Sequence, residues 1–455
     1  MTARDVGIDY LRATVTLMVL AHHSSLAYTT FAHISSTDYL NATAPIVDSA
    51  RWAFLDYAEN FNDVFFMSLM FFLSGLFVWP SIRKRGPLPF LRDRLLRLGL
   101  PFLVGVTLLM PIAYYASWRS VGGAPGYLQF WSRFLFHDGW PAGPLWFIWL
   151  LLFFDALAVL AWSVTSRVQQ RVEGYYTPSD ASRLANIPTS WKDAQAKPPA
   201  PPLDWGEAAW WRRRFRLRLE EQSKPATVRQ HPAFARPKGD GTDAPSPHAR
   251  KLFAILYVLA AVAYIPMLAK FGFGLWRPFL TPPLWFQVPR IFLYLVWFIA
   301  GIVVGTAVSN RGLLSPEGSL ARRWPWWLAA CVVAYNLLWF VPGSAFVQSL
   351  HWPRLGVGLL YALLWVLSCT ASCFALLALF RGVVKRRRAW MDSLVRCSYI
   401  LYLIHYVFLT WVQYLLLGID LPAPLKFALT LTAVVALSWS SALLLLRIPR
   451  LSAIL

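Results

Sequence analysis

Long apolar runs recur along almost the whole chain, and they decide what it can fold into. Ten of these runs are long enough, or nearly so, for the roughly 20 residues that a helix needs to cross a bilayer. They lie near 10–30, 61–80, 98–117, 144–165, 252–269, 286–308, 325–342, 355–380, 396–417 and 425–446. The 455 residues are 57% hydrophobic and 14% charged, which excludes an ordinary soluble domain. We therefore predict an all-α polytopic membrane protein with about ten transmembrane helices.

The basic residues predict which side of the membrane each loop occupies. Cytoplasmic loops carry an excess of Lys and Arg. If the N-terminus is cytoplasmic, most of the 43 Lys and Arg fall on that side. The excess on that side remains when the long central loop is left out of the count. The dense clusters at 83–97 and 385–388 share one side only if the number of spans between them is even. Ten spans with both termini in the cytoplasm satisfy this condition, and the net charge of +21 then needs no nucleic-acid partner.

One stretch, from about 166 to 250, breaks the apolar pattern. Its segments "AKPPAPPLDWG" and "ARPKGDGTDAPSPHAR" are rich in Pro, Gly and charge, and cannot build a packed core. We predict transmembrane helices 1–4 in 1–165, a mostly disordered cytoplasmic insert in 166–250, and helices 5–10 in 251–455. The insert's "WGEAAWWRRRFRLRLEEQ" suits either the anionic inner leaflet or a solvated basic linker.

The first apolar run carries Arg12 and two adjacent histidines, His22 and His23. His23 comes eleven residues after Arg12, which places both on one helical face about 16 Å apart along the axis. Asp9 shares this face, whereas His22 points about 100° away. Ionisable groups inside a membrane are functional by default, so a functional role is favoured for His23. For His22, packing against a neighbouring helix is favoured.

A basic motif precedes the third apolar run, in "FLRDRLLRLGLPF" at 90–102. Arg94 and Arg97 are three residues apart and project from neighbouring points of one helical face. Two guanidinium groups so placed can hold a phosphate or a carboxylate. Basic residues at a cytoplasmic helix end also serve topology alone. Arg97, nearest the apolar run, is the least explained by topology.

The ninth apolar run contains "CSYILYLIHYVF" at 397–408. Tyr399, Tyr402 and His405 step by three along one side of the predicted helix. His405 lies about 15 Å from the cytoplasmic end, a depth similar to that of His23. A contribution to the same site and a buried histidine bonded to a tyrosine are both open for His405.

Other kinds of chemistry have little support in the sequence. There is no Walker loop, no HExxH, no GxSxG and no usual metal-ligand spacing. Acidic residues within the apolar runs are nearly absent apart from Asp155, which argues against a carboxylate relay for ion pumping. The four cysteines are interpreted as packing residues, at Cys331, Cys369, Cys373 and Cys397.

Four segments together resemble a known family. In order, they are "GIDYLRATVTLMVLAHH", "FFLSGLFVWPSIRKRGPLPFLRDRLLRLGLPFLVG", "GPLWFIWLLL" and "SYILYLIHY". Their order and spacing resemble the acyltransferase 3 family of multi-span membrane acyltransferases over most of the chain outside 166–250. Within that family the chain looks most like the glucan-succinylating branch, whose members are similar to glucan biosynthesis protein C.

The resemblance implies an O-acyltransferase in a bacterial inner membrane. Its donor would be a cytoplasmic acyl-CoA of acetyl or succinyl type, with no permanently bound cofactor and no metal. Its acceptor would be a hydroxyl of a glycan or another cell-envelope molecule. The long insert is not expected from the family, and the resemblance does not predict the oligomeric state.

The resemblance also implies roles for particular residues. The family's first-helix motif falls on Asp9, Arg12 and His23, and its third-helix basic motif falls on Arg94 and Arg97. Coenzyme A phosphates would then lie among Arg12, Arg94 and Arg97, with the thioester near His23. His23 would act as a general base or carry the acyl group itself. In this chain the proline after Arg97 comes four residues on, rather than three as in many members.

Secondary roles, in orienting His23 or in binding the acceptor, are expected for a second group of residues. These are His22, Tyr399, Tyr402 and His405. A multi-span exporter of a glycan or anionic molecule is the main alternative, since the same Arg and His face could line a pathway. A scaffold organised through the 166–250 insert is a third, and it would not need His23.

Overall fold

The computed structural model describes residues 5–35, 39–40, 42–124, 126–175, 248–307 and 313–449, with no side chains for 167–175, 248 and 307. The described part is an all-α polytopic membrane protein, as predicted. Eight of its helices are long and apolar enough to cross a membrane, at Ala53–Arg85, Pro87–Ser120, Gly143–Ser166, Ala249–Phe271, Val288–Thr306, Arg354–Val383, Ala389–Leu417 and Ala423–Leu445. The two remaining predicted runs form the helices Val6–Leu26 and Trp324–Phe340. The number of spans and the side of each terminus stay predictions.

The helices are numbered in chain order. The first half contains α1 (Val6–Leu26), α2 (Ala53–Gly75), α3 (Val78–Arg85), α4 (Pro87–Arg94), α5 (Leu100–Val104), α6 (Met110–Ser120), α7 (Tyr127–Phe136) and α8 (Trp146–Tyr175). The second half contains α9 (His248–Phe271), α10 (Ile291–Ala307), α11 (Ser319–Arg322), α12 (Trp324–Phe340), α13 (Ala345–Ser349), α14 (Arg354–Val383), α15 (Ala389–Leu417) and α16 (Ala423–Leu445). Short 3₁₀ turns precede α8 and α10, at Gly143–Leu145 and Val288–Arg290.

A short hairpin, which the sequence did not predict, joins α9 to α10. Its strands β1 (Trp276–Pro278) and β2 (Trp285–Gln287) are antiparallel, with Trp276 opposite Gln287. Residues 176–247, which hold most of the predicted insert, lie outside the described residues. Helix α8 continues to Tyr175, beyond the predicted boundary at 165.

Helix α1 lies among four other long helices, α2, α14, α15 and α16. Its side chains at Leu11, Ala13 and Val15 are fully buried among them. Since α1 is surrounded in this way, groups on different faces of α1 meet different partner helices. The two adjacent histidines of α1 are therefore expected to face different surroundings.

The start of α2 corrects one sequence interpretation. The apolar run that predicted this helix begins near residue 61, but α2 begins at Ala53. Asp56 and Glu59 therefore lie within the helix, before Asp63, which the predicted run already contained. These carboxylates of α2 add to Asp155, the acidic residue singled out within the apolar runs.

Glycines bring α2 and α10 into backbone contact. A Cβ added at Gly301 would lie 2.1 Å from the carbonyl oxygen of Phe72, and one added at Gly75 would lie 2.3 Å from that of Phe298. A Cβ added at Gly305, one turn after Gly301, would lie 2.2 Å from the carbonyl oxygen of Leu76. Small residues at this spacing allow membrane helices to approach closely. The second half of α2 is thereby fixed against α10.

The third predicted span is longer and less regular than the sequence suggested. The helical stretch begins at Pro87 rather than near 98, and two π-helical turns interrupt it at Leu95–Gly99 and Gly105–Leu109. Pro111 has no N–H for the carbonyl of Thr107 four residues earlier. The indole N–H of Trp131 donates to that carbonyl instead, at 2.8 Å. Backbone groups freed by proline inside a membrane helix need such partners.

A buried ion pair ties the loop after α1 to α16. The Nζ of Lys426 lies 2.7 and 2.9 Å from the two carboxylate oxygens of Asp48, and both side chains are almost fully buried. The N–H of Asp48 donates to the carbonyl of Ala27, just past the end of α1. Removing one partner of a buried pair costs about 3–5 kcal/mol, so this contact fixes the histidine end of α1.

Candidate functional site

A cavity of about 310 Å³ lies at the Arg12 end of α1. Its walls come from α1, α2, α3, α4, the first π-helical turn, α8 and α15. The lining includes five of the residues singled out from the sequence, Arg12, Arg94, Arg97, Tyr399 and Tyr402. The fold thus brings three distant segments of the chain to one site.

Arg94 is held by a carboxylate from another helix. Its Nε lies 3.1 Å from Oδ2 of Asp155 on α8, and Asp155 is fully buried. The guanidinium carbon also lies 5.1 Å from the centre of the Phe90 ring. Asp155, the acidic residue noted in the sequence, therefore orients a basic residue of the cavity.

Arg97 lies in the π-helical turn Leu95–Gly99 and its side chain is exposed. Among the described residues, no carboxylate forms an ion pair with its guanidinium. Its carbonyl, in contrast, is engaged. Pro101 follows four residues later without an N–H, and the Tyr399 hydroxyl donates to the Arg97 carbonyl at 2.5 Å. Tyr399 thus holds the backbone from which Arg97 projects.

Arg12 and Arg85 complete the basic lining. The Arg12 side chain is exposed, and its guanidinium carbon lies 5.8 Å from the centre of the Phe77 ring. Arg85 is paired with Asp93, the carboxylate among the lining residues. Four arginines and one aspartate give the cavity a net positive charge, which suits an anionic ligand. Asp9 lies in the first turn of α1, partly buried, and is not among the lining residues.

Two histidines stack further along α1. The rings of His23 and His405 have centroids 5.4 Å apart and planes 29° apart, and the Tyr406 ring lies 5.5 Å from His23. The Nδ1 of His405 lies 2.7 Å from the carbonyl oxygen of Tyr402. A carbonyl only accepts, so Nδ1 carries the proton and Nε2 of neutral His405 has the free lone pair. Nδ1 of His23 and Nε2 of His405 are buried without a hydrogen-bond partner among the described residues.

This His23–His405 pair lies beyond the cavity. Neither histidine lines it, and the nearest lining residues on their helices are Thr16 and Tyr402. Thr16 is seven residues before His23, or about 10 Å along the helix. The Tyr402 ring lies 5.9 Å from that of His405, and its hydroxyl donates to the carbonyl of Pro144. Tyr402 therefore stands between the cavity and the histidines.

His22 faces a different group of side chains. Its Nδ1 lies 3.7 Å from Oε1 of Glu59, and its ring centroid lies 5.0 Å from that of Phe66. One turn further along α2, Asp63 accepts two hydrogen bonds from Arg290, at 2.7 and 2.5 Å. No sequence motif assigned a role to Glu59, Asp63 or Arg290. The spacing of Asp56, Glu59 and Asp63, three and then four residues, would have placed them on one helical face.

Comparison with protein families finds a match in the first part of the chain. Residues 5–172 match the acyltransferase 3 family, described as an acyltransferase domain. The match supports the family and, in general terms, a membrane acyltransferase activity. This acyltransferase domain match includes Arg12, His23, Arg94 and Arg97, but His405 and its neighbours lie beyond it. No curated protein and no solved structure matches the chain, so the glucan-succinylating branch stays a prediction.

Proposed function

We propose that the protein is a membrane O-acyltransferase of a bacterial inner membrane. It moves an acetyl or succinyl type of acyl group from cytoplasmic acyl-CoA to a hydroxyl of a glycan or another cell-envelope molecule. The observation that carries the proposal is that Arg12, Arg94 and Arg97 line one cavity. Further along α1, His23 stacks on His405.

The arginines of the cavity bind the phosphates of coenzyme A. Charge-assisted hydrogen bonds from guanidinium groups are well suited to phosphate oxygens. Arg97 is available for this role since no described carboxylate pairs with it, whereas Arg94 is oriented by Asp155. The cavity volume is at the lower end of the roughly 300–1,000 Å³ of typical ligand pockets, which suits part of coenzyme A.

The acyl-bearing arm extends from the cavity past Thr16 and Tyr402 to the histidines. Arg12 and His23 are eleven residues apart on α1, a distance of about 16 Å along the axis. A long, extended donor can cover this interval. Tyr402 borders both the cavity and His405, so its ring lies beside the path of the thioester.

His23 accepts the proton of the acceptor hydroxyl while the hydroxyl oxygen attacks the thioester carbonyl. The carbon–sulfur bond breaks, the proton returns to the coenzyme A thiolate, and the products are an ester and free thiol. His405, with its lone pair at Nε2, is the second basic group beside the reacting atoms. In a second route His23 is itself acylated and passes the group to the hydroxyl. Exchange of labelled free coenzyme A into acyl-CoA in the absence of an acceptor separates the two routes, since only the second transfers the acyl group to the enzyme before the acceptor binds.

Thiol release from acyl-CoA tests the proposed function directly. Purified full-length protein is incubated with acetyl-CoA, succinyl-CoA and longer acyl-CoAs, with and without a cell-envelope glycan extract. We expect release that depends on the extract and favours one acyl group. Absence of release from every donor, together with solute movement in reconstituted vesicles, would instead establish the transporter alternative.

A further inference from the structure

We propose that the first half of α2, together with His22, binds the acceptor, and that this acceptor is a carbohydrate with several free hydroxyls. The inference rests on the proposed function and names where its second substrate binds. The segment in question is "DYAENFND", residues 56–63. It is called the polar segment of α2 below.

The polar segment is not packed like the rest of α2. Every residue from Asp56 to Asp63 is partly exposed, on all sides of the helix, whereas Val64 to Leu69 are buried. The side chains of Glu59 and Asp63 are 12% and 24% exposed. Since these polar groups are partly exposed while lying against other helices, a hydrophilic molecule has access to them.

His22 points into this segment from α1. Its side chain is 8% exposed, and its Nδ1 has no hydrogen-bond partner among the described residues. The 3.7 Å to Glu59 exceeds a hydrogen bond, so both groups are available to a third one. A hydroxyl is the natural third group, because it can donate to the carboxylate and also exchange a hydrogen bond with the imidazole.

The neighbouring charge favours a neutral ligand over a metal cation. Asp63 is neutralised by the two-pronged hydrogen bond from Arg290, which is 2% exposed. The Arg290 guanidinium carbon lies 4.8 Å from the centre of the Phe273 ring and 5.1 Å from a ring centre of Trp365. Arg290 is therefore fixed in place beside the carboxylates. Among the described residues, no lysine or arginine forms an ion pair with Glu59 of the polar segment. The amide groups of the segment lie next to this carboxylate in the sequence.

Aromatic rings flank the polar segment on the side of α12. Tyr57 lies 4.7 Å from Tyr335 and 5.3 Å from Trp339, measured between ring centroids, and Trp339 is 38% exposed. The Tyr57 hydroxyl donates to the side-chain oxygen of Asn336, also on α12, at 3.4 Å. Aromatic rings offer an apolar face with polar edges. Carboxylate and amide groups bind the hydroxyls of a sugar, and aromatic faces cover its C–H surfaces.

The position of the polar segment fits a second substrate. In the first half of α2, Glu59 lies near His22. Just after the other end of α2, Phe77 lies beside Arg12. The carbohydrate site and the donor cavity thus lie at opposite ends of α1 and α2. His22, beside which the hydroxyl would bind, directly precedes His23 in the chain. Donor and acceptor would approach the histidines from opposite sides of the membrane.

Sugar binding is measured directly, without any acyl donor. Equilibrium dialysis of the purified full-length protein uses a labelled neutral glucose tetrasaccharide as the probe, with 1,6-hexanediol as a competitor that has hydroxyls but no sugar ring. We expect saturable binding that hexanediol does not displace. The Glu59→Gln variant, which keeps the shape and removes the charge, should weaken binding by about tenfold, the effect of roughly one hydrogen bond to a charged group. Asp420→Asn, at an exposed carboxylate on the loop after α15, is the matched control and should bind as the wild type does.

A second variant covers the case in which Glu59→Gln does not fold. Trp339→Ala removes an exposed ring at the edge of the site and should also weaken binding severalfold. No tetrasaccharide binding by the wild type, or equal binding by wild type and both variants, overturns the carbohydrate site. Thiol release from acyl-CoA by the wild type is measured in a separate experiment, which tests only the proposed acyl transfer. Failure of one proposal is therefore distinguishable from failure of the other.

Discussion

The two ends of α1 are polar in different ways. At the Arg12 end, arginines from α1, α3 and the third predicted span surround a cavity, with carboxylates holding two of them in place. At the histidine end, His23 stacks on His405 and His22 faces Glu59. One end presents fixed positive charge, which binds anions at any ordinary pH. The other presents imidazoles, each of which has one ring nitrogen that can accept a proton and one that can donate.

This difference indicates a division of labour along one helix. Fixed positive charge is suited to holding a phosphate-rich donor and has no part in moving protons. Imidazoles are suited to the proton transfers of ester formation and contribute little to binding a charged donor. Variants at the arginine end should therefore change the donor's KM, and variants at the histidine end should change kcat.

The largest expected effect belongs to His23. In His23→Ala the attacking hydroxyl loses its base, and general-base catalysis typically contributes about 10²–10⁴-fold. We expect kcat for acyl transfer to fall by that factor, while the protein still inserts in the membrane and elutes as a single species. Thiol release measured at saturating acyl-CoA reports the change.

The neighbouring histidine, which we place in the acceptor site, tests whether the two rings have separate roles. His22→Ala removes a ring that faces Glu59 rather than His405, so its effect on kcat should be much smaller than that of His23→Ala. If the two variants lose kcat equally, the separation of the two histidines into different roles is wrong. A loss in His405→Ala close to that of His23→Ala would place both stacked rings in the proton transfer.

An intermediate effect is expected at the arginine end. Arg97→Ala removes a guanidinium that lines the cavity and pairs with no carboxylate among the described residues. Hydrogen bonds to charged groups contribute about 1.5–3 kcal/mol, which corresponds to roughly 10–100-fold in affinity. KM for acyl-CoA should rise by that factor with kcat little changed.

Arg83 offers a control for nonspecific loss of charge. It is an exposed arginine of the same basic region, but it does not line the cavity. Arg83→Ala should leave KM for acyl-CoA unchanged. A fall in kcat for Arg97→Ala without a rise in KM would show that the two ends of α1 do not divide binding from chemistry.

The sequence predicted the arginine end of the site better than the histidine end. Apolar runs locate helices reliably, because burial in lipid demands them, and Arg94 and Arg97 stand out as charges beside such a run. The first half of α2 was missed because hydropathy does not recognise a helix made of "DYAENFND". Its helical form depends on packing against α1, α12 and α14, which only the fold supplies. The partner of His22 was missed for the same reason.

Contacts between distant backbone groups were also beyond the sequence. Pro101 could be read as a residue that deprives the Arg97 carbonyl of its helical N–H. Nothing in the sequence says that a tyrosine some 300 residues later would donate to that carbonyl. Tyr399 was selected for its spacing with Tyr402 and His405. Its observed contact is with the backbone of the basic motif.

The smallest expected effect tests this contact between Tyr399 and Arg97. Tyr399→Phe keeps the ring in the cavity wall and removes the hydroxyl, which leaves the Arg97 carbonyl without that donor. A lost hydrogen bond of this kind costs about 1–3 kcal/mol, part of which the helix recovers by local adjustment. We expect KM for acyl-CoA to rise severalfold, less than in Arg97→Ala, with kcat nearly unchanged.

A second substitution identifies the cause of that rise. Pro101→Ala restores an N–H four residues after Arg97, so the double variant Tyr399→Phe with Pro101→Ala can close the bond within the helix. If Tyr399 acts by holding the Arg97 backbone, the double variant should recover a KM close to that of the wild type. If Tyr399 instead touches the donor through its hydroxyl, Pro101→Ala brings no recovery. The same pair of measurements shows how far the arginine end depends on a tyrosine that reaches it from α15, the helix that also carries His405.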